Sequence, residues 1–414
     1  MRLLELGYEL PKNWREATIS DVTSKVGSGA TPRGGSSVYT NNGIPLVRSQ
    51  NVMDNSFSNA GLAFLSDQSA SSLKNVELRA NDVLLNITGD SILRCCLLPD
   101  VMIGGRVNQH VAIIRASDAV IPLYLQKWLV QDWFKDFMLS HSAGATRKAI
   151  TKGQILSFPI ALPPLPEQRR IAGVLGALDD KIESNQAVVT GAEQLIDEIA
   201  EQKATDLPTV ALSEVCSLSK STWKPDTSSD QTVHLFSLPA FDEGAVPEQA
   251  AVSTIKSNKT LVDRPGILVS RLNPRISRMW WVETDATPVS VCSPEFAYLT
   301  AGDMHGLACT WLAVRSPKFR GEIIDRVTGT SGSHQRVRPA DLMTIGVPDY
   351  RSLAEHTQMT VLTLLHLVSA RRQQSVALAE LRDALLPELM SGRMRVDEAG
   401  CLVSEALDEE VADV

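Results

Sequence analysis

A chain of 414 residues exceeds what a single hydrophobic core usually organises, so two or more domains are expected. A hydrophobic content of 43% argues against disorder along the whole length, and no run of about 18 apolar residues offers a transmembrane helix. The net charge of −8 excludes a uniformly basic nucleic-acid binder, yet the deficit is local: residues 1–165 carry +3 and 207–350 only −1, whereas 166–206 carry −5 and 396–414 carry −7.

Met1–Leu6 lacks an apolar stretch followed by a small-residue cleavage site, so no signal peptide is expected. Residues 1–165 show short apolar runs, as in Asn81–Leu85 and Val107–Arg115, broken by Gly, Pro, Asn and Ser. That is the pattern of a compact mixed α/β domain. Gly27-Ser28-Gly29 and Gly34-Gly35 are not followed by Gly-Lys-Ser/Thr, so turn geometry is expected there rather than a phosphate loop.

Pro163-Pro164-Leu165-Pro166 stops that domain, and Pro166 suits the first position of a helix, with Glu167 in its first turn. From there Ile171, Leu175, Leu178, Ile182, Asn185, Val189, Ala192, Ile196 and Ile199 alternate spacings of four and three. This is the seam of a left-handed coiled coil, with Asn185 as a polar residue that fixes register. The segment 166–206 is therefore a central long helix, on the order of 55 Å in length. A second domain follows over 207–350. Another long helix occupies 351–395, with Val361, Leu364, Leu365, Val368, Leu378, Leu381 and Leu385 as its apolar positions and Arg371 and Arg372 interrupting them. The acidic tail 396–414 is expected to be disordered or loosely docked.

The two halves repeat. Ala17–Ser24 recurs as Val210–Ser217, Asp82–Arg94 as Gly266–Arg278, and Gln154–Ser157 with Ile160 as Asp341–Thr344 with Val347. Glu167-Gln168 is echoed by Glu355-His356, in the same chain order. A duplicated α/β (α+β) chain with two globular domains and two long helices, paired as an antiparallel intramolecular coiled coil about a pseudo-two-fold axis, accounts for the pattern. Such a pair of rods would act as a ruler between two unlike heads, as dimeric DNA readers hold two recognition elements apart.

Three groups of residues carry a family resemblance. The first is Leu10–Trp14, Gly27–Pro32 and Arg48–Val52 in order; the second is Pro163–Gln168 with Ile171-Ala172 and Leu178–Ile182; the third is Leu381–Gly392 with Arg393–Val396. They resemble the opening, the domain-to-helix junction and the C-terminal helix end of type I restriction–modification specificity subunits, across roughly residues 10–396. The second half departs from the pattern at Ser219–Pro225 and Tyr350–His356. The resemblance implies two target-recognition domains that read a bipartite double-stranded DNA target with a spacer. It also implies partnership with two methyltransferase subunits and with restriction subunits, which carry out adenine methylation and cleavage in defence against foreign DNA.

Base and phosphate contacts are expected from polar loops, because Arg and Lys match guanine and Asn or Gln match adenine. Candidates in the first domain are Ser28, Thr31, Arg33, Arg48, Gln50, Asn51, Arg94, Arg106, Asn108, Gln109, Arg147 and Lys148. Those in the second are Lys220, Thr222, Lys224, Arg271, Asn273, Arg275, Arg278, His334, Gln335, Arg336 and Arg338. Gly144–Lys148 aligns with Ser331–Gln335, and Arg271–Arg278 is the densest basic run. Trp280-Trp281 could stack on an extruded base, but a core and sheet-edge role explains it better.

No amino-methyltransferase signature surrounds Pro163-Pro164, and Glu201-Gln202-Lys203 lacks a supporting acid for a nuclease centre, so no catalytic residues are expected. The six cysteines form no C-x-x-C pair and no His cluster joins them; no metal or cofactor is expected, and the protein is placed in the reducing cytoplasm, away from the membrane. The competing reading is a coiled-coil assembly scaffold whose domains bind proteins rather than DNA.

Overall fold

The computed structural model describes residues 3–142, 148–284, 287–328 and 335–408. The chain divides into two compact units, one formed by Met1–Glu183 with Leu378–Val414 and the other by Ser184–Ala377. Neither long helix is a separate rod: each unit contains part of both.

In the first unit a four-stranded antiparallel sheet runs in the order Thr23–Ser28, Val111–Ala116, Asp82–Asn86, Cys95–Leu97. Every residue of Asp82–Asn86 is buried, because the strand lies in the sheet interior with side chains on both faces. A second sheet orders Tyr39–Thr40, Ala63–Leu65, Ile44–Val47 and Arg106–Val107, the last pair parallel. A two-stranded ribbon joins Arg15–Thr18 to Pro159–Leu162. Helices Pro122–Val130 and Asp132–Ser140 pack Trp128, Phe134 and Met138 into the larger core. A satellite core around Leu46, Leu65, Leu84 and Ile113 fills the space between the sheets.

The second unit repeats this plan. Its four-stranded sheet runs Ser217–Leu218, Phe296–Thr300, Gly266–Ser270, Met279–Val282. Its ribbon joins Thr209–Ala211 to Gly346–Pro348, and its helices are Met304–Arg315 and Pro317–Asp325. Its other sheet has five strands, ordered Thr222–Trp223, Lys259–Val262, Ser290–Cys292, Thr232–Phe236, Glu248–Ala251. Trp280 and Trp281 are core residues: Phe236 meets Trp280 edge-to-face at 4.8 Å, and the Trp281 indole donates to Glu283 Oε1 at 2.7 Å.

The first long helix spans Leu165–Ala204 and the second Glu355–Ser391. Within the first unit Ile171, Leu175 and Leu178 share one core with Leu378, Leu385 and Leu389. Within the second, Val189 and Ala192 pack with Val368, while Ile196 joins Val361 and Leu365. The expected seam is thus the buried stripe. Asn185 sits in it, 1% exposed, and its amide donates to Gln374 Oε1 at 2.8 Å and Ser375 Oγ at 3.3 Å. These partners satisfy a buried carboxamide only in one register. Arg372 leaves the seam to pair with Glu193 at 3.0 Å.

Two expectations are corrected. Residues expected to form a loose tail begin with a helix, Val396–Asp408, whose Ala399 and Val403 are buried in the first unit's core; its apolar residues fall at helical spacing despite the acidic composition. Gly27-Ser28 is strand rather than turn, and Gly29 follows where a Cβ would lie 2.2 Å from the Val107 and Asn108 carbonyl oxygens. Only glycine permits that approach.

Candidate nucleic-acid interface

The hairpin loop after the all-buried central strand is the common feature of both domains. In the first, Ile150 N–H donates to Ile87 O at 3.0 Å and Thr88 bridges Ala149. In the second, Val337 N–H donates to Arg271 O at 3.0 Å and Leu272 bridges Arg336. The turn itself repeats: Ile92 N–H donates to Gly89 O, and Ile276 N–H to Asn273 O, with Gly89 and Asn273 both in the left-handed region. Two polar segments far apart in sequence, the hairpin loop and the stretch beginning at Lys148 or Gln335, are therefore brought together in each domain.

In the first domain they open onto a recess of about 570 Å³ that includes Gln50, Arg94, His110 and Lys148, with Asp90 on its rim. Asn86 is fully buried; its amide donates to Ser49 O at 2.9 Å and Ser91 Oγ at 3.1 Å, tying the Ser49–Asn51 turn to the hairpin loop. Thr31 bonds Gln109, the Gln109 amide nitrogen lies 3.0 Å from His110 Nε2, and His110 Nδ1 lies 2.6 Å from Thr88 Oγ1. His110 thus bridges Gln109 and Thr88 through its two ring nitrogens. The Arg94 guanidinium lies 3.3 Å from Met53 Sδ, leaving donors for an incoming acceptor.

Several expected readers are used internally instead. Asn51 is fully buried: its Oδ1 accepts from Arg48 N–H at 3.0 Å, and its amide donates to Ser58 O at 2.8 Å and Ala60 O at 3.1 Å. Arg106 is buried too, donating to Ala70 O and Gly105 O, with Glu77 at 3.7 Å. Asn108 is internal and accepts from His110 N–H at 3.1 Å. Arg48 is half-buried, lying 5.7 Å over the Tyr39 ring and bonded to Gly61 O. Ser28, Thr31, Arg33, Gln50 and Lys148 are exposed. Arg147 lies outside the described residues.

In the second domain, arginines of the basic run hold the loop's shape. Arg271 donates to Val337 O at 3.0 Å and Pro294 O at 2.9 Å. Arg278 grips Asp242 with two bonds of 2.6 and 2.8 Å, and Arg336 grips Glu295 at 2.9 and 2.8 Å. Each guanidinium holds its carboxyl below the usual range. Asn273 N–H donates to Gln335 O at 2.9 Å. Arg275, Lys220, Thr222, Lys224 and Arg338 are exposed, and Arg275 has no partner among the described residues. A smaller recess of about 100 Å³ brings Arg275 and Arg278 beside Arg320, which sequence reasoning missed. His334 lies outside the described residues. Thr88, Asn86 and His110 were also missed, although Asn108-Gln109-His110, a polar run ahead of an apolar strand, marks the place.

Matching polar loops recur on the two units, each of which contains segments of both long helices. Residues 11–193 match the type I restriction modification DNA specificity domain. Its fold is similar to that of a type I restriction–modification S subunit from M. genitalium, at 14% identity and TM-score 0.55, covering 92% of this chain and 97% of that one. An HsdS subunit from Thermoanaerobacter tengcongensis is 17% identical over 94% of this chain and 99% of its own, with TM-score 0.37. Among the described residues no helix is long and apolar enough to cross a membrane.

Proposed function

We propose that this chain supplies sequence specificity to a type I restriction–modification complex. It reads a bipartite DNA target with two unlike domains and recruits the methyltransferase and restriction subunits that act on it. The observation that carries this reading is the duplicated hairpin loop, bridged in both domains to a second polar segment, in a chain whose first half matches the specificity-domain family. Chemistry then belongs to the partners: two methyltransferase subunits modify adenine, and restriction subunits cleave. The first domain offers mixed donors and acceptors from Gln50, Arg94, His110 and Lys148 to base edges and phosphates. The second offers Lys220, Lys224 and Arg275 outward, while Arg278 and Arg336 stiffen the loop. Near-neutral domains leave much of the phosphate neutralisation to the partners, which fits binding as a complex rather than alone.

The test is to map modified adenines in the host genome with the chain present and deleted. Methylation at one bipartite sequence that disappears on deletion supports the reading. An unchanged methylation pattern refutes it.

A further inference from the structure

In each unit an aspartate of the first long helix is ion-paired to a cation of the domain, beside hydrogen bonds such as Ile121 N–H to Gln168 Oε1 and Tyr350 OH to Ala200 O. In the first unit Lys127, on the domain helix Pro122–Val130 and fully buried, is bonded to Asp179 Oδ2 and to Asn55 Oδ1 at 2.7 Å. The other oxygen of Asp179 accepts from Arg382 of the second long helix at 3.0 Å. In the second unit Arg315, at the end of the domain helix Met304–Arg315, grips both oxygens of Asp197 at 2.7 Å. Arg320 adds a bond to Asp197 at 2.9 Å. The two anchors are not copies of one another: with the buried Phe134 and Phe319 matched, Lys127 falls at Leu312, and a duplicated Asp179 would fall at Leu367 of the second helix.

We infer that Asp179 and Asp197 are positioning residues that fix the orientation of each reading domain on the first long helix and so sharpen the accepted spacer length. This rests on the DNA-reading function proposed above. Apolar packing between domain and helix is non-directional and tolerates small rotations. Directional ion pairs do not: breaking the one at Lys127 leaves a charge in low dielectric, and at the half-exposed Asp197 it gives up the two-bond geometry with Arg315. Burial disfavours the charged form of Lys127, and Asp179 is the carboxylate that opposes this effect.

The experiment uses the full chain in complex with its methyltransferase partner and selects bound duplexes from a randomised pool. The spacer-length distribution of the selected bipartite sites is the readout. Wild type should return one dominant spacer. Asp197→Asn, which keeps side-chain volume and removes the charge, should keep both half-site sequences while sites one base pair longer or shorter rise about tenfold relative to the dominant one. For Asp179 the paired change Lys127→Met with Asp179→Asn removes the lock without stranding a buried charge, and the same broadening is expected. A merely structural role would weaken capture of all spacers equally, and Asp197→Glu should restore the narrow distribution. Unchanged spacer selectivity in both variants, with half-sites still selected, overturns the inference. A wild-type selection that enriches no bipartite sequence overturns the DNA-reading function itself.

Discussion

Replacing Asn51 separates a framework residue from a reading residue. Asn51→Ala removes one accepted and two donated hydrogen bonds in a fully buried site; the Arg48 N–H and the Ser58 carbonyl lose their Asn51 partner, and the Ala60 carbonyl keeps Gln50 Nε2 at 3.2 Å. At roughly 1 kcal/mol net for each bond the loss is about 3 kcal/mol. For a unit of this size that corresponds to a fall in melting temperature of about 6–12 °C. Asn51→Asp keeps the shape and the accepted bond but points an oxygen at two carbonyls, so it should cost at least as much. Calorimetry of the full chain gives the assay, since the unit that contains Asn51 should melt earlier while the transition of Ser184–Ala377 stays in place. Gln50→Ala, one residue earlier and exposed, is the control: it should leave the melting profile alone and alter selection at one half-site only. An Asn51→Ala protein with unchanged melting and a lost half-site would show that the carboxamide reads DNA, and the framework assignment would be wrong.

Three further outcomes are expected. Inserting one heptad between Ile182 and Asn185, matched by seven residues between Gln374 and Leu378, should lengthen the selected spacer by about three base pairs, from 1.5 Å of rise per residue against 3.4 Å per base pair, with both half-sites unchanged; an unaltered spacer would count against the helix pair as the ruler. Val403→Asp should release Val396–Asp408 from the core, and limited proteolysis should then cut between Ser391 and Val396 sooner than in wild type; equal cleavage rates would mean that the helix is not held by that contact. Because Asp242 and Glu295 have lowered folded pKa values, their contribution to the second domain is fully present above the ordinary carboxylate range near pH 4 and is lost as pH falls through it. Unfolding midpoints followed from pH 7 to 3 should therefore decline only toward the acid end, and Asp242→Asn should flatten that decline.

The long helices were legible because their signal is local. A four-three spacing puts Ile171 through Ile199 on one stripe whatever surrounds it, and Asn185 stood out as the only polar member. The duplication was legible for a related reason: strand, hairpin and ribbon residues keep their order even when identities change. The reading site was less so. Whether an arginine faces solvent depends on a carboxylate elsewhere in the chain. Arg278 and Asp242 are 36 residues apart, and Arg336 and Glu295 are 41 apart, with no pattern linking them. Asn51 looks like its exposed neighbour Gln50 in composition and differs only in the backbone that folds around it. The C-terminal helix was hidden by its acidity, which outweighed the spacing of Ala399 and Val403 when composition was read first.

The first unit closes with the end of the chain. Tyr8 bonds Met390 O, and Gly392, left-handed at φ 72°, brings the turn after the second long helix so near Pro11 that a Cβ there would sit 2.5 Å from the ring. During synthesis Ser184–Ala377 is contiguous and can complete itself first, while Ile171, Leu175 and Leu178 wait for Leu378, Leu385 and Leu389 to emerge. A chain truncated before Leu378 would therefore leave the stripe of Ile171, Leu175 and Leu178 without its apolar cover, a liability for aggregation.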